Sequence, residues 1–413
     1  MLTLPPSFWA DFRARIAAAP LKEIHTKNPF LGGVPDPIEI DRVLAAMQRS
    51  PTATGLRIYE NSTKRDDLAA KVLKGRVPEG RPAFDWIRQE CGLDRCAFVI
   101  NELQDWSEPL ARAGGSFLHD LAAHGPGIPP GGAELVAFAG NYEGTPFGVH
   151  RGFESAFLIH LGPGKKEFHC WSPELFQELT GGLHDVFEYR HLMAHATTYL
   201  FEPGDLFYLP PYVFHIGAQT EYSVSVAVPL YQPDEARYYA DAVSRIAGRP
   251  HDISSLPFVS HDGLDTDPAK VEGISRTIAT RLRDAAARWT APSLEELIAD
   301  GWHARASNGW LKRRDFSLAQ DAVLDTSSVV RGAQPFRIGL VAAGPGRSRF
   351  YARHHAFEVA SHPALGDVVA MLNAATAIPV ARLVELLGDA WEDEAVVGLL
   401  QHLAKVRAIE VVR

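Results

Sequence analysis

The sequence predicts an α+β protein built on an antiparallel sandwich or barrel, with helices before it, a helical block after it and a small mixed domain at its end. Three observations carry this. From Glu134 to Leu230 the runs ELVAFAG, ESAFLIHL, KEFHCW, TTYLFEPG, DLFYLPP and YSVSVAVPL are short and apolar or alternating, with Gly/Pro turns between them. Residues 7–19, 38–49, 236–248 and 270–289 instead repeat their apolar side chains at helical spacing. The tail then reads strand, strand, helix, helix, helix, strand, through FRIGLVAA, RFYARHHAFEVA, PALGDVVAMLNAA, PVARLVELLG, DEAVVGLLQHLAKV and IEVV. That order suggests a winged-helix-like domain.

The predicted boundaries are 1–235 for the sheet domain with its N-terminal helices, 236–325 for the helical block and 326–413 for the tail. FVINELQDW (98–106) begins as a strand and runs into a helical stretch. SLEELIADGW (293–302) opens with a Ser-x-x-Glu capping box.

Composition narrows the function classes. The 413 residues are 46% hydrophobic and 22% charged, with 21 Phe and 8 Trp, which argues for packed cores rather than disorder. A net charge of −9 gives no reason to expect nucleic-acid binding. Three cysteines without CxxC spacing (Cys91, Cys96, Cys170) fit neither a disulfide framework nor a thiolate zinc site. No apolar run is long enough to span a membrane, and prolines and charges stand where a signal peptide needs an apolar core. The expectation is a cytoplasmic protein with no membrane or nucleic-acid partner.

On one strand, residues two apart share a face, so His150, Gly152, Glu154, Ala156, Leu158 and His160 are expected to point together into the barrel. Far along the chain, FEPGDLFYLPPYVFH ends in His215 after a Pro-Pro turn. Two strand-borne histidines so separated meet only if the sheet closes on itself. Between them, GPGKK places Lys165 and Lys166 at the start of the next strand.

These residues resemble the jumonji-C branch of the cupin-fold, Fe(II)/2-oxoglutarate-dependent oxygenases, in particular the bacterial ribosomal-protein oxygenases. The resemblance implies a double-stranded β-helix (cupin/JmjC jelly roll), a helical dimerisation region and a C-terminal winged helix, and hence a homodimer. It implies His150 and His215 as iron ligands, and Lys166 as the cation that pairs with the far carboxylate of 2-oxoglutarate. Ser223 and Ser225 follow as weaker co-substrate contacts. The implied substrate is a peptide, a protein side chain or an amino-acid-derived compound. Two imidazoles with open positions suit a metal that must also hold a bidentate 2-oxo acid, and a buried cation suits its second carboxylate.

Gly152 departs from the pattern, standing where the family carries the carboxylate of its HxD or HxE motif. Three readings stay open. Glu154 serves as the third ligand, bridging about 6.5 Å of extra strand with its longer side chain or through a bulge. Alternatively the position stays open for chloride, as in family halogenases with Gly or Ala there. In the third reading the domain binds without catalysis.

Other clusters carry less. His184, Asp185, His191 and His195 lack the HExxH pattern and read as an exposed segment. His354 and His355 read as surface residues, WLKRRDF (310–316) as a solvated helix end, and AAGPGRSRF (342–350) as a hairpin.

Overall fold

The computed structural model describes residues 1–50, 53–183, 185–232, 291–312, 323–388 and 390–412, with a few positions between 276 and 287. Two compact units divide the chain: Met1–Gln232 with Ala304–Arg413, and Pro233–His303. The predicted helix 236–248 and most of 270–289 lie outside the described residues. So do His184 and most of WLKRRDF. Of the second unit, the first part of a helix, Ala291–Ser307, is described. It begins two residues before the Ser293 cap that the sequence suggested.

The sheet domain opens with helix α1 (Pro6–Ala18), strand β1 (Ile24–Thr26), α2 (Ile38–Gln48), β2 (Leu56–Glu60), β3 (Thr63–Lys64), α3 (Asp66–Lys74), α4 (Ala83–Cys91), β4 (Ala97–Ile100) and α5 (Glu108–His124). Then come β5 (Val136–Tyr142), β6 (Ser155–Pro163), β7 (Lys166–Trp171), α6 (Pro173–Thr180), β8 (Thr197–Phe201), β9 (Leu206–Leu209) and β10 (Phe214–Leu230). The large antiparallel sheet runs β1-β9-β6-β10-β5-β4-β2-β3.

β10 belongs to two sheets. Ser223–Leu230 pairs with β6, whereas Phe214–Ala218 pairs with β7, which pairs in turn with β8. A register shift between Gln219 and Ser223 bends the strand from one sheet to the other. The inner faces meet in a core that includes Val99, Val136, Leu158, Phe168, Phe201 and Phe207. This is the sandwich that the alternating runs predicted.

Helices cover the outer face of the large sheet. Trp9 and Phe12 of α1 are buried against Phe117 of α5 and Phe157 of β6. Ser107 caps α5 by accepting from the Leu110 amide at 3.3 Å. Glycines in α5 permit two close approaches: a Cβ on Gly114 would meet Leu135 at 2.9 Å, and one on Gly115 would meet Phe336 at 3.0 Å.

The tail forms strands β11 (Val329–Gly332), β12 (Gly339–Ala342), β13 (Arg347–Ala352) and β14 (His355–Ala360). Helices and strands α7 (Leu365–Asn373), β15 (Ile378–Pro379), α8 (Val380–Leu387), α9 (Asp393–Lys405) and β16 (Ile409–Val412) follow. RFYARHHAFEVA is therefore a hairpin rather than one strand, because Arg353 and His354 take positive φ (49° and 72°) and reverse the chain. That turn is packed, not exposed. His354 and His355 are half-buried, against expectation. Arg353 is 2% exposed and pairs with Glu108 of α5 at 2.8 Å, lies 3.6 Å from the Phe336 ring centre and donates to Asn308 at 3.1 Å. The tail is thus tied to the sheet domain through a buried ion pair.

Candidate active site

His150 and His215 sit side by side. Their backbones exchange hydrogen bonds as an isolated antiparallel bridge, His215 N to His150 O at 2.8 Å and His150 N to His215 O at 3.2 Å. Their ring centres are 4.3 Å apart. Each Nδ1 donates to the carbonyl two residues back, His150 to Gly148 and His215 to Val213, both at 3.0 Å. Since a carbonyl only accepts, Nδ1 carries the proton and Nε2 keeps a lone pair, the tautomer a metal ligand needs. Burial lowers both imidazole pKa values, that of His215 to about 3, and so favours the neutral form.

Both rings line a cavity of about 400 Å³ inside the sandwich. Lys166 lines it too, at the start of β7, and is 1% exposed. Its Nζ donates to the Tyr142 hydroxyl at 3.3 Å and lies 5.8 Å from the Phe138 ring centre. Among the described residues no carboxylate pairs with it, and burial pushes its pKa down to about 7. Lys165, by contrast, turns outward to Glu202 at 2.9 Å. The choice of Lys166 over its neighbour follows the period-two alternation of the strand.

The face expected to run from His150 to His160 breaks after His150. Residues 151–154 are not strand, and β6 starts at Ser155. Gly152 and Glu154 nevertheless line the cavity. The Glu154 carboxylate folds back, accepting from the Phe153 amide at 3.1 Å. A Cβ built on Gly152 would stand 3.3 Å from its carboxyl carbon, so Glu154 fills the space beside the missing side chain. Among the described residues no group of three or more His, Cys, Asp or Glu is disposed to hold a metal, so Glu154 is near the histidine pair but not gathered with it. His191 and His195, on an exposed turn, form no such group either.

Ser223 and Ser225 point elsewhere than the sequence reading placed them. Ser225 Oγ lies 2.9 Å from His160 Nδ1, and Ser223 Oγ lies 3.2 Å from His160 Nε2 and donates to the Gly164 carbonyl at 3.0 Å. His160 is the hub of this buried network and stays neutral, its pKa lowered to about 4 chiefly by burial. None of the three is among the residues that line the cavity.

Sequence reasoning missed Arg57, Asn101, Glu134, Tyr142, Thr145 and Tyr231. Tyr142 reaches Lys166, and the other five line the cavity. A faint signal was available: Arg57 interrupts the apolar run LRIYE, and Glu134 is in phase with Val136 and Phe138 on one strand face.

No protein-family model matches the chain, and no curated protein does. Solved structures do. The Escherichia coli ribosomal oxygenase YcfD matches at 18% identity and a TM-score of 0.53, covering 100% of this chain and 99% of that one. YcfD in complex with cobalt and 2-oxoglutarate matches at 16% identity and 0.52, with the same coverage. YcfD with cobalt and succinic acid also matches at 16% and 0.52. At such identities the likeness is one of fold: the chain shares the fold of the ribosomal oxygenase YcfD.

Proposed function

We propose that the protein is an Fe(II)- and 2-oxoglutarate-dependent oxygenase that hydroxylates an unactivated C–H bond. The observation that carries this is one cavity lined both by two neutral imidazoles with Nε2 available and by a buried lysine lacking an anionic partner. That donor set fits the cofactors held by the E. coli neighbour. His150 and His215 would hold the metal, and Lys166, backed by Tyr142, would hold the far carboxylate of 2-oxoglutarate. Bound there, iron and 2-oxoglutarate supply an oxidation in which O2 converts the 2-oxo acid to succinate and CO2 and places its other oxygen atom in the substrate C–H bond.

The chain's own contribution is binding and exclusion of water. The Nδ1 bonds to Gly148 and Val213 fix both rings, and Phe147 and Phe168 flank them with ring centres 5.3 Å away. Glu154 favours hydroxylation over halogenation: its carboxylate beside Gly152 would repel a halide. The halide reading keeps one supporting observation, that Glu154 stands apart from the histidine pair. Dimerisation through 236–325 and a protein-contact role for a winged-helix-like 326–413 complete the proposal, for a cytoplasmic enzyme. Among the described residues no helix is long and apolar enough to cross a membrane.

The test is anaerobic addition of Fe(II) and 2-oxoglutarate, read as a visible charge-transfer band at about one iron per chain. No band and no iron retained would overturn the reading and leave a binding protein without catalysis. Loss of iron affinity in Glu154→Ala supports the Glu154 ligand. Unchanged affinity together with a band that shifts on adding chloride supports the halide reading.

A further inference from the structure

The cavity holds charges that the oxygenase reading does not use. Arg57 lines it from β2. Its Nη2 donates to Asn101 Oδ1 at 2.9 Å, and its guanidinium carbon lies 5.9 Å from the Phe147 ring centre. No Asp or Glu among the described residues pairs with Arg57, although Arg65, Arg95, Arg112 and Arg349 all have such partners. A half-buried, positioned guanidinium has five N–H donors, and a single protein acceptor leaves most of them for a ligand. Phe147 stands edge-on to His150, with ring centres 5.3 Å apart. Arg57 is therefore one aromatic ring away from a proposed metal ligand.

Just before β5, Glu134 is 7% exposed, lines the same cavity and accepts from the Tyr231 hydroxyl. No Lys or Arg among the described residues pairs with it. A cavity lined by a cation and an anion that lack ion-pair partners among the described residues is complementary to a ligand carrying both charges.

We propose that Arg57 and Asn101 recognise a carboxylate of the substrate, and that this substrate is a small amino-acid-like acid whose ammonium group faces Glu134. The proposal rests on the oxygenase reading and narrows its substrate class. The co-substrate does not account for Arg57, because a 2-oxo acid chelated at the histidines already has its far carboxylate at Lys166. A polypeptide backbone offers Arg57 only neutral carbonyl acceptors in mid-chain, so an internal residue would bring it a countercharge only as Asp or Glu.

The experiment uses the full chain loaded with Mn(II) and 2-oxoglutarate, probed by melting temperature and calorimetry. The probes are the standard free L-amino acids, their carboxamides, and doubly blocked Asp and Glu. At least one free amino acid binds, and its carboxamide binds roughly 30-fold more weakly. Arg57→Gln loses the same factor while keeping its affinity for 2-oxoglutarate. Asn101→Ala, which leaves the charge in place, loses less.

Four results overturn the proposal: acid and carboxamide binding alike, Arg57→Gln binding the acid normally, no free amino acid binding, or Arg57→Gln losing 2-oxoglutarate. Binding of blocked Asp or Glu in preference to free acids overturns the small-molecule substrate. Failure of the oxygenase reading shows separately, as wild type that takes up neither Mn(II) nor 2-oxoglutarate.

Discussion

Burial of Lys166 without a countercharge would make the proposed 2-oxoglutarate binding pH-dependent, weaker as pH rises. Burial lowers its pKa from 10.5 to about 7, a cost to the protonated form of roughly 5 kcal/mol at most. The unfolded chain therefore binds more protons than the folded one between about 7 and 10.5, and stability rises with pH across that window. Binding runs the other way. A carboxylate beside Nζ restores the charged form, so below about pH 7 the site is already protonated and affinity is flat. Above it, each pH unit weakens 2-oxoglutarate binding about tenfold, because the complex must take up a proton. Calorimetric titrations of the Mn(II)-loaded protein at pH 8, in buffers of different ionisation enthalpy, should report close to one proton absorbed per site. Affinity unchanged between pH 6 and 9, with heats independent of buffer, would refute the reasoning. Lys166→Met should raise the melting temperature while abolishing 2-oxoglutarate binding, since an apolar chain replaces an unpaired amine.

Three further outcomes follow from the same geometry. Gly152→Asp restores a carboxylate at a position whose new Cβ stands 3.3 Å from the Glu154 carboxyl; Glu154 is displaced and Fe(II) affinity rises, as measured by competition with a chromogenic chelator. His160 has its pKa lowered to about 4, so the folded state takes up its proton later than the unfolded chain. The stability present above about pH 6.5 is lost as pH falls through 4, by about 3 kcal/mol, and His160→Gln flattens that limb in urea unfolding curves at stepped pH. Arg353→Met removes one half of a buried pair with Glu108 and should cost about 3 kcal/mol in the same unfolding assay; a change under about 1 kcal/mol would mean that Arg112, already 3.2 Å from Glu108, compensates.

How much of this was legible in the sequence differs from residue to residue. His150, His215 and Lys166 were readable because turn chemistry flanks each of them and because strand alternation assigns faces once a strand is recognised. The path between His150 and Ser155 was not. Glycine at 152 carries no side-chain preference, and the chain leaves the sheet there under the pull of tertiary bonds such as Tyr212 N to Gly152 O at 2.9 Å. Ser223 and Ser225 are on strand β10, as expected. What pattern alone could not show is that another buried residue, His160, already engages both hydroxyls. Arg57 and Glu134 escaped for a related reason: they are far apart in sequence, and only the pairing of β2 with β4 and of β4 with β5 brings them to one sheet.

The reciprocal backbone bridge between His150 and His215 has a consequence for the life cycle of the site. Two main-chain hydrogen bonds hold the imidazoles within reach of each other, so sheet closure and the spacing of the pair are one event in folding. The pair should then form on folding without iron, and any iron it holds should leave without the fold coming apart. In the oxygenase proposed above, metal loss would then be a reversible vacancy rather than a route to degradation.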